Sequence, residues 1–296
     1  MTIAIFGKRI TEDHKAAVAV LLNELNSKGI NLLVYAEFAK EMQNFGLDKS
    51  VPFSIFDRDE AIDQEVNYLI SVGGDGTFLD AMLFAIKIKC PVLGINTGRL
   101  GFLSNTSSTD IKSAIKDLLE GNYTIENRSL LELNSENGLF AQNNLALNEI
   151  SIMKRDSSSM ITIHVDLDDK HLNSYWTDGL IISTSTGSTA YSLSCGGPIL
   201  IPGSGNFVIT PIAPHNLNVR PIVISDESKL KISVESRAGK NLVALDSRSL
   251  ELMDNEIITI TKAKFELKLV QFKHQSFLSS LRNKLNWGLD KRNSNA

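Results

Sequence analysis

The segment of this 296-residue chain best equipped for chemistry is Gly73-Gly74-Asp75-Gly76-Thr77. The apolar run Tyr68-Leu69-Ile70-Ser71-Val72 precedes it, and Phe78, Leu79, Met82, Leu83 and Ile86 follow at helical spacing. The loop therefore joins the carboxyl end of a strand to a helix, the place where α/β sheets hold ligands. Its glycines let the backbone approach a ligand closely, and the N–H groups of the helix start suit phosphate. A carboxylate there repels phosphate. Asp75 makes chemical sense if it binds a metal or accepts a proton from an attacking hydroxyl, both of them phosphoryl-transfer roles. The plainer reading is a tight turn in which Asp75 caps the helix. The loop is neither a Walker A sequence nor a G-x-G-x-x-G fingerprint, so hydride transfer on a Rossmann-type site is not expected.

A second polar constellation lies in the other half of the chain. Thr177-Asp178-Gly179 leads through an apolar strand into Ser183-Thr184-Ser185-Thr186-Gly187-Ser188-Thr189-Ala190-Tyr191-Ser192-Leu193-Ser194. This run supplies hydroxyl and backbone N–H groups without net charge, apt for sugar hydroxyls, amides or phosphate. It reads equally as a polar surface loop. Asn148-Glu149 follows Leu145-Ala146-Leu147. Asn can pair with an adenine edge and Glu can accept from ribose hydroxyls, although a turn-forming pair is the simpler reading. None of the five histidines has metal-ligand or triad spacing, and His215 in Pro211-Ile212-Ala213-Pro214-His215 reads as structural. Cys90 and Cys195 lie far apart among apolar or small residues and read as buried free thiols.

Two rhythms position these groups. Residues 1–125 alternate strands (2–6, 30–35, 68–72 and 91–95) with helical patterns, the first of which starts at Thr11 and ends at Gly29. That βαβ order predicts a Rossmann-like parallel sheet covered by helices. Residues 126–270 show short period-two runs such as Ile161-Thr162-Ile163-His164-Val165 and Phe265-Glu266-Leu267-Lys268-Leu269. These predict antiparallel strands in a β-rich, sandwich-like domain. Residues 271–296 carry Phe277, Leu278, Leu281, Leu285 and Leu289 on one face of an amphipathic helix, then a polar tail that frays.

A hydrophobic fraction of 43% and a charged fraction of 22% are those of a globular chain with a sizeable core. The net charge of −4 gives no reason to expect nucleic acid as a partner. The amino terminus lacks a signal-peptide pattern and no apolar run is long enough to span a bilayer, so no membrane partner and a cytoplasmic location are expected.

Taken in order, Gly73-Gly74-Asp75-Gly76-Thr77, Asn148-Glu149, the stretch from Thr177-Asp178-Gly179 through Gly187-Ser188-Thr189-Ala190-Tyr191-Ser192, and Thr210-Pro211-Ile212-Ala213-Pro214-His215 resemble the NAD kinase family in its bacterial, ATP- or polyphosphate-dependent form. The first segment alone is shared with phosphofructokinases and diacylglycerol-type lipid kinases, and the long serine/threonine stretch is what separates the families. The resemblance implies transfer of the γ-phosphoryl of ATP, with Mg²⁺, to the 2′-hydroxyl of the adenosine ribose of NAD. It makes Asp75 the group that activates that hydroxyl and Gly73, Gly74, Gly76 and Thr77 the phosphate loop, with Gly76 also touching NAD. Asn148 and Glu149 are implied to hold adenosine. Phe102, in Gly98-Arg99-Leu100-Gly101-Phe102, is implied to pack on adenine. Asp178 and Ala190 are implied to lie near the nicotinamide riboside, and Ser188, Thr189, Tyr191 and Ser194 to line the same cleft, with Ala213 a further contact. The family fold is an α/β domain followed by a β-rich domain, with the C-terminal helix returning to the first. Members are usually homodimers or homotetramers with NAD sites near subunit contacts.

The chain departs from the family pattern in places. It has Thr184-Ser185-Thr186-Gly187 where T-P-T-G is usual, Cys195 for alanine, and Asp246-Ser247-Arg248 for Asp-Gly-Gln. Arg248 thus stands where glutamine often contacts substrate, and either grips phosphate or points away. Three other readings compete. A lipid kinase needs an apolar groove, a phosphofructokinase needs more basic residues, and a non-catalytic dinucleotide sensor gains nothing from an aspartate beside phosphate.

Overall fold

A computed structural model describes residues 1–57, 62, 64–98, 101–141, 143–155 and 159–287. Arg99, Leu100, Leu289 and the polar tail lie outside the described residues. The chain forms two compact units, one of residues Met1–Glu126 with Leu267–Ala296, the other Asn127–Glu266.

The first unit runs β1 (Thr2–Gly7), α1 (Glu12–Ser27), β2 (Asn31–Tyr35), α2 (Ala36–Asn44), β3 (Ser54–Phe56), β4 (Tyr68–Val72), α3 (Asp75–Ile88), β5 (Val92–Asn96), β6 (Thr106–Ser107), α4 (Ile111–Glu120) and β7 (Tyr123–Arg128). Strands β1, β2, β4 and β5 are apolar and almost wholly buried, as strands covered on both faces must be. Parallel pairing joins β3-β2-β1-β4-β5. The chain leaves β1 toward β2 and β3, then crosses to the other side of β1 for β4 and β5. The sheet therefore reverses its winding between β1 and β4, and the loop after β4 sits at that switch point.

The second unit contains β8 (Leu131–Ser135), β9 (Leu145–Ala146), β10 (Glu149–Lys154), β11 (Ile161–Leu167), β12 (Lys170–Thr177), β13 (Gly179–Thr184), α5 (Tyr191–Ser194), β14 (Asn206–Ile212), β15 (Ile222–Ser225), β16 (Leu230–Glu235), β17 (Lys240–Leu245), β18 (Arg248–Met253) and β19 (Ile258–Lys262). Two antiparallel six-stranded sheets, ordered β15-β14-β13-β10-β17-β18 and β12-β11-β16-β19-β8-β9, share one core. Ile150, Ile152, Leu180, Ile182 and Phe207 of the first sheet pack with Leu133, Ile163, Val165, Ile232 and Ile260 of the second. This is a β-sandwich, and its alternating strands carry the inward set.

The chain then returns to the first unit through β20 (Leu267–Phe272) and α6 (Phe277–Leu285). Here the structure corrects the sequence reading. Residues 265–269 were expected to be an antiparallel strand of the second half, yet β20 pairs parallel with β5, Leu269 opposite Val92. Period-two alternation reports one buried face and not the sheet to which a strand belongs. In β20 the buried Val270 also breaks the alternation, as a strand inside a covered sheet requires.

Candidate active site

Asp75 is the first residue of α3, with Gly74 as its N-cap. Its carboxylate does not cap that helix. Oδ1 accepts the N–H groups of Leu103 (3.1 Å) and Ser104 (3.0 Å), and Oδ2 accepts that of Phe102 (2.8 Å). One anion thus gathers three successive backbone donors and ties residues 101–104 to the glycine loop. Gly101 makes this possible, because a β-carbon there would lie 1.8 Å from Asp75 Oδ1. The helix N-terminus favours the charge as well. Of the loop glycines only Gly73 uses the left-handed half of conformational space, at φ +146°, and Thr77 packs against it.

Helix α6 brings two more side chains to this point. Lys284 Nζ lies 3.6 Å from Asp75 Oδ2 and 4.3 Å from the centre of the Phe102 ring. Phe277 meets the same ring, centroid to centroid 6.1 Å. At the end of β1, Lys8 pairs with Asp80 of α3 at 2.5 Å. Among the described residues no group of three or more His, Cys, Asp or Glu is placed to hold a metal.

In the second unit Asn148 and Glu149 occupy the entry to β10. Asp246, at the β17–β18 turn with φ +52°, accepts the N–H groups of Leu147 (3.0 Å), Asn148 (2.8 Å) and Glu149 (3.2 Å). The carbonyl of Asn148 accepts from Thr184 N–H at 2.9 Å. Gly187 lies so close that a β-carbon would approach that carbonyl oxygen to 2.1 Å. The turn from 184 to 194 is thereby pressed against the pair, and Tyr191 N–H donates to Glu149. Glu149 Oε2 is buried and has no hydrogen-bond partner among the described residues. An unpaired buried polar atom costs about 1–3 kcal/mol, a reason to expect a polar ligand group there. Asn148 makes no side-chain hydrogen bond among the described residues, so its amide is open to a ligand.

Burial, with the Asp246 charge second, pushes the Glu149 carboxyl up to about 8. Burial raises the Asp246 carboxyl as well, opposed by its three N–H donors and the charge of Arg248.

The serine/threonine run needs a correction. Many of its hydroxyls serve the fold. Ser188 is fully buried, donates to the Ser185 carbonyl at 2.7 Å and accepts from Leu200 N–H at 2.9 Å. Thr189 donates to the Thr186 carbonyl, Thr184 to that of Leu147, and Ser192 bonds Thr210. Composition counts hydroxyls without saying which way they point, and a tight turn consumes them first. The Tyr191 and Ser194 side chains remain exposed, and Ala190 is half-buried. Arg248 donates to the carbonyls of Asn143 and Leu145, so in the structure it braces the segment leading to Asn148.

Asp178 and Ala213 fall elsewhere. Asp178 N–H bonds the Ile212 carbonyl at 3.1 Å and its carboxylate pairs with Lys154 at 2.6 Å. Ala213 adopts φ +46° beside them. Both lie at the Gly179 end of β13, whereas Ser183 at the other end is in register with Glu149. Strand rise puts the ends of β13 roughly 16 Å apart. Within one copy of the chain these residues do not join the Asn148 cluster. Sequence reasoning also missed Gly101, Asp246 as a clamp, and Lys284. The one local signal was the basic last turn of an amphipathic terminal helix.

The protonation of Glu149 predicts a pH effect on stability. The folded carboxyl holds its proton to about pH 8, while the unfolded one releases it near 4.5. Between those values the native state binds more protons than the unfolded state, so this group's stabilisation is lost as pH rises. Thermal melts of the ligand-free protein from pH 5 to pH 8 should fall more steeply for the parent than for Glu149→Gln. Parallel slopes would contradict the assignment.

Comparison with known proteins places the chain. A model described as the ATP-NAD kinase N-terminal domain matches residues 3–123, and one described as the ATP-NAD kinase C-terminal domain matches residues 147–272. An NAD kinase of Flavobacterium psychrophilum is 44% identical over 99% of this chain and all of its own length. One from Cytophaga hutchinsonii is 41% identical over the same shares. Among solved structures, an Archaeoglobus fulgidus NAD kinase in complex with ATP matches with a TM-score of 0.71 and 26% identity, covering 97% of this chain and 99% of that one. Yeast NADH kinase complexed with NADH matches in fold with a TM-score of 0.83 at 23% identity, covering 98% of this chain and 89% of that one. The chain belongs to the NAD kinase family.

Proposed function

We propose that this enzyme transfers the γ-phosphoryl group of ATP to the 2′-hydroxyl of the adenosine ribose of NAD, giving NADP and ADP. The observation that carries the reading is the seating of Asp75. A carboxylate has about four acceptor sites, and three N–H bonds leave one on Oδ2. That site takes the proton of the 2′-hydroxyl as its oxygen attacks the γ-phosphorus and the bond to ADP breaks. Such base assistance contributes roughly 10²–10⁴-fold. Gly73, Gly74, Gly76 and Thr77 offer the backbone donors of the helix start to the phosphates.

Mg²⁺ bound with ATP would supply charge neutralisation at the phosphates. Magnesium keeps waters and phosphate oxygens around it and takes only one or two protein carboxylates. A magnesium carried on the nucleotide phosphates would need no dedicated carboxylate cage, which leaves the open Oδ2 site of Asp75 to the hydroxyl. Asn148 pairs with the adenine edge, and the Glu149 carboxyl hydrogen-bonds the adenosine moiety at Oε2. Phe102 supplies the aromatic platform for adenine. In the second unit, Tyr191, Ser194, Ala190 and the backbone of Ser188 and Thr189 supply further contacts to NAD. Arg248 keeps its role as a brace. A cytoplasmic location suits a reaction that draws on ATP and NAD.

The placement of Asp178 and Ala213 supports a homo-oligomer. We infer that a second copy supplies these two residues toward the nicotinamide riboside. Light scattering should then give a dimer or tetramer, and Asp178→Ala mixed with Asn148→Ala should recover activity that neither has alone. A fully active monomer would remove the second copy.

The function itself is tested by purified protein with NAD, ATP and Mg²⁺, read for NADP. Asp75→Asn should fold, bind NAD and lose at least about 100-fold in turnover, within the range for a lost base. Near-parental turnover in Asp75→Asn would sink Asp75 as the base. Bound NADP without turnover in the parent would make the protein a sensor.

A further inference from the structure

The terminal helix enters the Asp75 site with a charge that the proposed chemistry has not used. Helix α6 is well specified. Ser276 and Ser279 form a capping box at its start, and Asn286 ends it in the left-handed conformation. The segment before it is stitched to the loop that holds Asp75. Gln275 donates to the Asn105 carbonyl and to Thr106 Oγ1, and Asn105 donates to Gln271 Oε1. These bonds fix where the last turn arrives. There Lys284 Nζ lies 3.6 Å from Asp75 Oδ2 and 4.3 Å from the Phe102 ring centre, with only 23% of its side chain exposed.

We propose that Lys284 is a positioning residue for the phosphoryl transfer. This rests on the reaction proposed above. Asp75 must keep its charge while anionic phosphates collect beside it, and like charges at close range oppose that. An ammonium 3.6 Å from Oδ2 offsets the repulsion. Because Oδ1 already accepts two N–H groups, Lys284 faces the one oxygen with an open acceptor site. The same ammonium sits on the face of Phe102, a favourable cation–π contact, and pins the side chain of the residue whose backbone N–H donates to Oδ2. One cation therefore orients both the base and the aromatic platform, joining the end of the chain to its chemical centre.

The test is steady-state kinetics on Lys284→Met, Lys284→Arg and Lys284→Ala, with thermal melts for folding. Lys284→Met should lower kcat roughly 10- to 100-fold, the scale of a misplaced catalytic group, with KM for NAD and ATP within about threefold. Lys284→Arg keeps the cation and the ring contact and should recover most of the loss. Ethylammonium ions should raise kcat of Lys284→Ala, a reading that stands if Lys284→Met folds poorly. Parental kcat in Lys284→Met, equal losses in the Met and Arg variants, or no rescue by ethylammonium would each overturn the proposal. An inactive parent enzyme would remove the proposed reaction itself, whereas an active parent with an unimpaired Lys284→Met would remove only the role of Lys284.

Discussion

Three backbone N–H groups converge on one carboxylate, and the first unit is arranged around that convergence. Asp75 must stand at the start of α3 to reach Phe102, Leu103 and Ser104, and Gly101 must lack a side chain to let it in. The parallel sheet delivers Asp75 to the switch point beside β1, and β5 delivers the chain that becomes the partner loop. A buried or half-buried anion needs such donors, because charge taken from water must be repaid by hydrogen bonds. The geometry leaves Asp75 ordered, charged and with one acceptor site open.

The second unit repeats the device with a different purpose. Asp246 gathers the N–H groups of residues 147–149 and so sets the backbone of Asn148 and Glu149. The side chains of that pair stay available: among the described residues the Asn148 amide makes no hydrogen bond and Glu149 Oε2 has no partner. Groups of that kind are costly in a folded protein and are retained where a ligand completes them. The tight turn from 184 to 194 closes over the pair, spending many of its own hydroxyls to do so.

Much of this was legible in the sequence. The glycine loop could be placed because an apolar strand and a helical apolar spacing bracket it. The sandwich could be expected because strands such as 161–165 alternate. The partner of Asp75 was not legible, since backbone N–H groups carry no side-chain signature. Lys284 comes from the far end of the chain, and no local pattern links it to residue 75. The assignment of β20 failed because alternation speaks for a face and is silent on the neighbour. Direction also escaped: Ser188 and Thr189 were read as lining a cleft, whereas their hydroxyls bond within the turn. Asp178 and Ala213 carry a family likeness, yet they stand at the opposite end of β13 from the strand position that faces Glu149.

The account stands on the seating of Asp75 by the loop that starts at Gly101, and steady-state turnover of Gly101→Ala measures that directly. The added methyl group forces the carboxylate out of its place without altering any residue proposed to touch NAD or ATP. The account predicts a fall in kcat of about 100-fold or more, the scale of a catalytic group displaced by an ångström, with KM for NAD little changed. Parental turnover in a folded Gly101→Ala enzyme would contradict it.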